Sequence, residues 1–213
     1  MRSTVLIAAT AITFIFLPPA ISQHKAGQPS DMHGTHSSQE MTGHGSMHSM
    51  QSSPGAAKAA FDHQFLDTMV VHHQSAIEMA QLVEERSAHK ELKQMAQKMI
   101  DDQRREIQQM EEWKQKWYAD KGDAVNMSMP GMAESMKDMS MDALRSATGE
   151  TFDAMFIDMM GRHHDGAIKM AQDAVSKATH PEIMKLANDI IREQKREVSQ
   201  MAKWKKDWQL ADK

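Results

Sequence analysis

The stretch MVVHHQSAIEMAQ at residues 69–81 decides the fold, because it occurs a second time as MGRHHDGAIKMAQ at residues 160–172. The similarity extends outward on both sides, so that residues 61–117 align with residues 152–208 at a constant offset and without a gap. About 24 of the 57 aligned positions are identical. One structural unit has therefore been duplicated within the chain.

Each unit has the pattern of a helical hairpin. In its first helix, Phe65, Met69, His72, Ala76 and Met79 recur at spacings of three and four, which gives one broad buried face that includes the histidines. Its second helix follows a heptad pattern that ends in two tryptophans. The turns are expected at residues 87–90 and 179–181, where a proline suits the first helical position.

Two such hairpins predict an all-α fold, a four-helix bundle spanning residues 58–213. The linker between the units, residues 119–150, is long enough to cross from one hairpin to the other. No segment shows the alternating apolar pattern of a strand.

The hairpin geometry brings methionine and polar side chains to the adjacent histidines. Residues that face each other across the first turn place Gln103 and Glu106 opposite the histidine pair. The predicted metal ligands are Met69, His72, His73, Met79 and Met110 in the first unit, and Met160, His163, His164, Met170 and Met201 in the second. The residues predicted to orient these ligands are Gln103, Glu106, Gln194 and Glu197.

Buried polar groups at this density need partners. An unpartnered one costs about 1–3 kcal/mol, whereas a whole domain is stable by only about 5–15 kcal/mol. The groups must bond one another, hold water or hold a metal. A hydrogen-bond network of histidine, glutamine and glutamate that fixes the register of the helices is the alternative to metal binding.

Copper is the metal that best suits these residue types. The chain has 22 methionines, 12 histidines and no cysteine. Thioether sulfur selects copper(I), and imidazole also accepts copper(II). Di-iron bundles need Glu-x-x-His on facing helices, and no histidine here has a glutamate three residues before it. Silver is expected as a chemically similar guest.

Two further segments are rich in the same ligands. Residues 23–57 lack apolar periodicity and are predicted to be a disordered tail, with candidate ligands His33, His36, His44, Met47, His48 and Met50. The linker contributes Met127, Met129, Met132, Met136, Met139 and Met141. Both are interpreted as flexible collectors of metal. The alternatives are a polar tail with incidental histidines and linker methionines that pack in the core.

The first 22 residues have the features of a secretory signal. One arginine is followed by an apolar run and by small residues at 20–22. The mature chain is therefore expected in a bacterial periplasm, with no membrane association after cleavage. A net charge of −4 gives no basic face for nucleic acid.

Three other groups are given plainer roles. His89 and His180, at the turns, are expected to cap helices or shape the turns. His63 has no counterpart in the second unit and is expected to have no core role. The tryptophans that end the second helices are expected to pack in the core.

The motif His72-His73-x-x-Ala76-Ile77-x-Met79-Ala80, followed by Gln103-x-x-Glu106, Met110 and Trp113, resembles the DUF305 family of ferritin-like helical proteins. It is similar in particular to the periplasmic copper-resistance members of cyanobacteria, which also contain two units. The resemblance implies a four-helix bundle that binds copper through methionine and histidine. The second unit departs from the motif at Gly161-Arg162 and Gly166, where two glycines are expected to bend the helix.

Three functions follow from these patterns. The first is a non-enzymatic, exported protein that sequesters copper and contributes to copper resistance, with an efflux or delivery protein as a possible partner. The second is a metal-dependent oxidase that uses Glu106 and Glu197 as proton carriers. The third is a structural bundle to which metal binds incidentally.

Overall fold

The computed structural model describes residues 51–137 and 139–211. All regular structure in these residues is helical. In chain order the helices are α1 (Phe61–Gln81), α2 (Val83–Arg86), α3 (Lys90–Tyr118), α4 (Met132–Met136), α5 (Met141–Ser146), α6 (Gly149–Lys177) and α7 (Pro181–Asp207). The all-α prediction is confirmed. The signal segment expected at residues 1–22 lies outside the described residues.

The four long helices form the two predicted hairpins. α1 packs on α3, α6 packs on α7, and contact between α1 and α6 joins the pairs. The first hairpin turns through Leu82 and the short α2, and the second turns at residues 178–180 so that Pro181 begins α7. The four-helix bundle is confirmed. α6 runs without interruption through Gly161 and Gly166.

An aspartate–histidine pair fixes each hairpin turn to the start of the opposite hairpin. His180 donates from Nδ1 to Asp62 Oδ2 over 2.5 Å, and the backbone N–H of Thr179 also donates to this carboxylate. In the repeat-related pair, His89 Nδ1 donates to Asp153 Oδ2 over 2.7 Å. α1 and α6 therefore run antiparallel, because the start of each meets the turn that follows the other.

These pairs also explain the tryptophans at the helix ends. The His180 ring stacks on Trp117 with ring centroids 3.8 Å apart, and the His89 ring stacks on Trp208 at 3.7 Å. Neither histidine side chain forms a helix-capping bond. Of the two predicted roles, capping is therefore wrong and a role in the turns is confirmed, because each imidazole ties its turn to the opposite hairpin.

His63 also differs from its predicted role. The side chain is buried, stacks on Tyr118 with ring centroids 4.5 Å apart, and places Nε2 3.4 Å from Asp67 Oδ2. Asp67 also pairs with Lys114 over 3.0 Å. His63 thus belongs to the packed end of the first hairpin, and its lack of a repeat counterpart gave no sign of this.

The linker is folded onto the bundle instead of extending from it as a flexible collector. α4 packs along α6. Gly131 precedes α4 with φ at +94°, and a Cβ at this position would lie 2.2 Å from the carbonyl oxygen of Gly166. Glycine is required at residue 131, because both its backbone conformation and the close helix approach exclude a side chain.

The end of the N-terminal tail is also part of this packing. The Ser53 N–H donates to the carbonyl of Val125 over 2.8 Å, and the Met127 N–H donates to Ser52 Oγ over 2.9 Å. Ala56 is buried at the start of a 3-10 turn that reaches Lys58. The predicted disordered segment 23–57 therefore extends too far, because residues 51–57 are folded against the linker.

The apolar core consists of two clusters. One contains Leu92, Leu144, Phe152 and Phe156 among its large members, and the other contains Phe65, Leu66 and Ile183. The four tryptophans, two in α3 and two at the end of α7 or directly after it, are half-buried against them, as the sequence predicted. In the part of the chain that is described, no helix is both long and apolar enough to cross a membrane.

Candidate metal centre

Four buried imidazoles meet at the middle of the bundle, where α1 and α6 cross. His72 and His163 form an inner pair with ring centroids 3.8 Å apart. His73 lies 6.4 Å from His72, and His164 lies 6.4 Å from His163. All four side chains are completely buried. The duplicated HH motif therefore forms one four-histidine centre shared by both units, and not two separate sites.

The outer histidines bond the glutamates that the hairpin geometry placed opposite them. His73 Nε2 lies 2.6 Å from Glu106 Oε2, and His164 Nε2 lies 2.8 Å from Glu197 Oε2. A carboxylate accepts hydrogen bonds, so each imidazole donates from Nε2. Carboxylate–imidazole pairs of this kind commonly orient histidines that bind metal through the other nitrogen.

The inner histidines bond serines that the sequence analysis did not identify. His163 Nε2 lies 2.6 Å from Ser75 Oγ, and His72 Nε2 lies 3.0 Å from Ser135 Oγ of α4. Ser75 stands within the repeated motif, three residues after His72, and its repeat counterpart is Gly166. The difference between Ser75 and Gly166 at equivalent positions of the two repeats is the sequence signal that could have identified Ser75.

Six buried polar atoms of the four histidines, and of the glutamines predicted to lie opposite them, have no hydrogen-bond partner among the described residues. They are the Nδ1 atoms of the four histidines and the Oε1 atoms of Gln103 and Gln194. Burial, followed by the neighbouring imidazoles, holds the pKa of His72 and of His163 well below the ordinary value. Both inner rings are therefore neutral, and a neutral imidazole can bind a metal.

The histidine nitrogens do not by themselves form a complete metal site. Within the described residues, the only three His, Cys, Asp or Glu ligand atoms that lie within 4.8 Å of one another belong to Asp102, Glu193 and Glu197. That group is occupied by ion pairs, since Lys98 bonds both Asp102 and Glu193. A site with three or more ligands at the four-histidine centre would therefore need ligands of another type.

The six methionines predicted as ligands in the helices are all buried, although their grouping differs from the prediction. The buried Met69, Met110 and Met170 belong to one core cluster. The buried Met79, Met160 and Met201 belong to the other. Met79 and Met170 are thus exchanged between the units, because α1 and α6 run antiparallel. Each methionine group combines residues from both halves of the chain.

The linker methionines all contact these two clusters. Met129 and Met132 are buried in the cluster of Met69, with Met127 and Met136 half-buried against it. Met141 is buried in the other cluster, with Met139 against it. The linker methionines therefore pack against the core, which was the alternative considered for this segment. Metal binding by these methionines stays a prediction. The tail candidates His33, His36, His44, Met47, His48 and Met50 lie outside the described residues.

Comparison with known proteins agrees with this architecture. The structure is similar to "CopM in the Cu(I)-bound form", with 37% identity, a TM-score of 0.59, and coverage of 69% of this chain and 96% of that chain. The Cu(II)-bound form of CopM gives 38% identity and a TM-score of 0.60, with coverage of 69% and 97%. A DUF305 protein from Streptomyces coelicolor gives 26% identity and a TM-score of 0.64, with coverage of 72% and 97%. No match was found among curated proteins.

The family model described as "Domain of unknown function (DUF305)" matches the chain twice, over residues 18–114 and over residues 62–205. Together the matches include the first repeat unit, the linker and all but the last three residues of the second unit. The chain therefore belongs to the DUF305 family.

Proposed function

We propose that this protein binds copper(I) at the four-histidine centre and sequesters it without catalysing a reaction. The observation that supports this most directly is the set of six unpartnered buried atoms described above. A buried acceptor without a partner costs about 1–3 kcal/mol, so the four imidazole nitrogens in this set favour a ligand at the centre. A copper(I) ion would remove that cost for the nitrogens that it binds, whereas amide oxygen is a ligand of harder ions.

A soft, monovalent ion suits the available ligands. Imidazole nitrogen and thioether sulfur together favour copper(I) over harder ions. The inner pair His72 and His163 offers two imidazole rings whose centroids are 3.8 Å apart. Met69 and Met160 stand three residues before the inner histidines, on the same helix face. A centre with few ligands, mixed between nitrogen and sulfur, is suited to copper(I) and to silver.

The relatives support the same assignment. CopM, at 37–38% identity over most of its length, is known in Cu(I)-bound, Cu(II)-bound and Ag-bound forms. Copper(II) is the second oxidation state we expect here, bound mainly through histidine. The linker and tail ligands would add weaker copper sites around the bundle. Transfer of copper to an efflux or delivery protein would then complete a role in copper resistance.

Export to the periplasm is part of this proposal. It is supported by the signal-like segment at residues 1–22 and by the Streptomyces coelicolor relative, which is named as a candidate secreted protein. Copper(I) sites without cysteine also suit an oxidising compartment, because thioethers do not form disulfides.

Anaerobic titration with copper(I) against a competing chelator tests the assignment. The Met69→Leu/Met160→Leu variant removes two thioethers with little change in volume and should weaken tight copper binding at least tenfold. The matched control is Met184→Leu, since Met184 is a half-buried core methionine outside the proposed ligand set. Equal affinity in wild type and the double variant would overturn the proposed sulfur ligation.

The same preparation separates sequestration from oxidase activity. The glutamates considered as proton carriers are already bonded to the outer histidines. Under air, we expect stoichiometric uptake of copper(I) without continuing oxygen consumption. Sustained turnover of added cuprous or ferrous ion would contradict a non-enzymatic role.

A further inference from the structure

The two inner histidines are held in equivalent ways by serines from unrelated parts of the chain. Ser75, on α1, bonds His163. By the repeat symmetry, residue 166 on α6 should bond His72, but residue 166 is glycine. Ser135 supplies the missing hydroxyl instead: a Cβ built at Gly166 would lie only 1.6 Å from Ser135 Oγ. The linker helix thus fills the place that a second motif serine would occupy.

The backbone around this contact is shaped to admit that serine. At the Gly166 position, an added Cβ would also lie 2.6 Å from the carbonyl oxygen of Gly131. Gly131 and Gly166 therefore allow α4 to pack so closely on α6 that the Ser135 hydroxyl of α4 reaches His72. Ser135 itself is completely buried. A linker that only connected two hairpins would need none of these features.

The serine bonds determine which nitrogen of each inner ring carries its proton. Ser75 Oγ donates to the carbonyl of His72 over 2.7 Å, and Ser135 Oγ donates to the carbonyl of Gly131 over 2.7 Å. A hydroxyl has one proton, and two oxygens at this distance repel without it. Each serine must therefore accept from its imidazole, so that His72 and His163 both carry the proton on Nε2.

The consequence is that all four histidines have the same tautomer. The outer rings donate from Nε2 to glutamates, and the inner rings donate from Nε2 to serines. Each Nδ1 then has a free lone pair, is buried, and has no partner among the described residues. Four buried lone pairs are therefore acceptors without a donor among the described residues. A metal cation or a donor such as water can satisfy them, but another hydrogen-bond acceptor cannot.

We propose that Ser75 and Ser135 are positioning residues of the metal centre, which hold His163 and His72 as Nε2–H tautomers with Nδ1 available to copper(I). Through Ser135, the linker becomes a structural part of the centre. This inference rests on the proposed function for the identity of the ion, but the tautomers themselves are a property of the metal-free protein.

The tautomers can be measured directly by NMR of the metal-free, full-length mature protein labelled with ¹⁵N-histidine. The long-range couplings and nitrogen shifts distinguish Nε2–H from Nδ1–H imidazole. We expect His72 and His163 each to be entirely Nε2–H at neutral pH. An Nδ1–H tautomer at either ring in the wild-type protein would overturn the inference, and this result requires no variant to fold.

Substitution then tests each serine separately. Ser135→Ala should release His72 into a mixture of tautomers while His163 keeps its own, and Ser75→Ala should do the reverse. Ser176→Ala is the matched control, since Ser176 forms the same kind of bond to a helix carbonyl but is exposed. It should change neither ring. Unchanged imidazole signals in both core variants would refute the positioning role.

Copper(I) titration of the same variants separates this inference from the proposed function. Loss of an orienting partner behind a ligand typically lowers metal affinity by about 10–100-fold, and we expect that loss for Ser135→Ala. If wild type binds copper tightly and Ser135→Ala binds equally well, the positioning role fails and the function stands. If the tautomers are as expected but wild type binds no copper in the bundle, both the function and the metal-positioning role fail.

Discussion

The metal-free protein should lose stability when the pH falls from about 7.5 to about 5.5, because its inner histidines resist protonation. Burial, followed by the nearby imidazoles, lowers the pKa of His72 and His163 well below the ordinary value of 6.5. In the unfolded chain, both rings titrate near 6.5. The unfolded state therefore takes up protons first, and the free energy of unfolding falls as the pH drops below that value.

The size of this effect follows from linkage. For each histidine that stays neutral in the folded state, the free energy of unfolding falls by about 1.4 kcal/mol between pH 7.5 and pH 5.5. The unfolded-state pKa of about 6.5 lies in the middle of this interval, so the net effect equals one pH unit of differential proton binding. Two such residues give about 3 kcal/mol. This is a large part of the roughly 5–15 kcal/mol by which a typical domain is stable, so the change should be easy to measure.

Denaturant unfolding in the presence of a chelator, followed by circular dichroism at both pH values, measures the difference. The His72→Gln/His163→Gln variant is the control, since it removes both titrating groups while keeping polar side chains at the same positions. Its free energy of unfolding should change by far less than that of wild type. A pH dependence of the unfolding free energy that is the same in wild type and in this variant would refute neutral inner histidines.

Three other perturbations have defined outcomes. Replacing His72 and His73 together by alanine should abolish the tight copper site while circular dichroism shows a retained helical fold; loss of helix would instead favour a purely structural histidine network. Removal of residues 23–50, which spares the folded segment that begins at residue 51, should lower copper stoichiometry in chelator competition without changing the tight affinity; a loss of all binding would place the site in the tail. Asp62→Asn should reduce the free energy of unfolding by about 1.5–3 kcal/mol, because a buried carboxylate that accepts charge-assisted bonds is replaced by an amide, and an unchanged denaturation midpoint would contradict the role of this pair in joining the hairpins.

The helices and their pairing within each unit could be predicted because they depend on local pattern. Apolar spacing fixed the long helices, the proline marked the start of α7, and simple counting across the turn placed Glu106 opposite His73. The duplication then required two similar hairpins. These features involve residues close in sequence, where helix geometry alone gives the distances.

The relation between the hairpins could not be obtained in the same way. Whether α1 and α6 run parallel or antiparallel depends on long-range contacts such as Asp62 with His180, which have no periodic signature. That direction decides that the four histidines form one centre and that Met79 groups with Met160. The insertion of Ser135 against Gly166 was also beyond local pattern, since it joins the linker to a motif residue that differs between the copies.

X-ray absorption spectroscopy of the copper(I)-loaded protein tests the central claim most directly, because it identifies the atoms bound to the metal. We expect a coordination shell of few ligands that contains both imidazole nitrogen and thioether sulfur. A shell made only of oxygen, or one that lacks both of these atom types, would contradict the assignment of this bundle as a copper(I) protein.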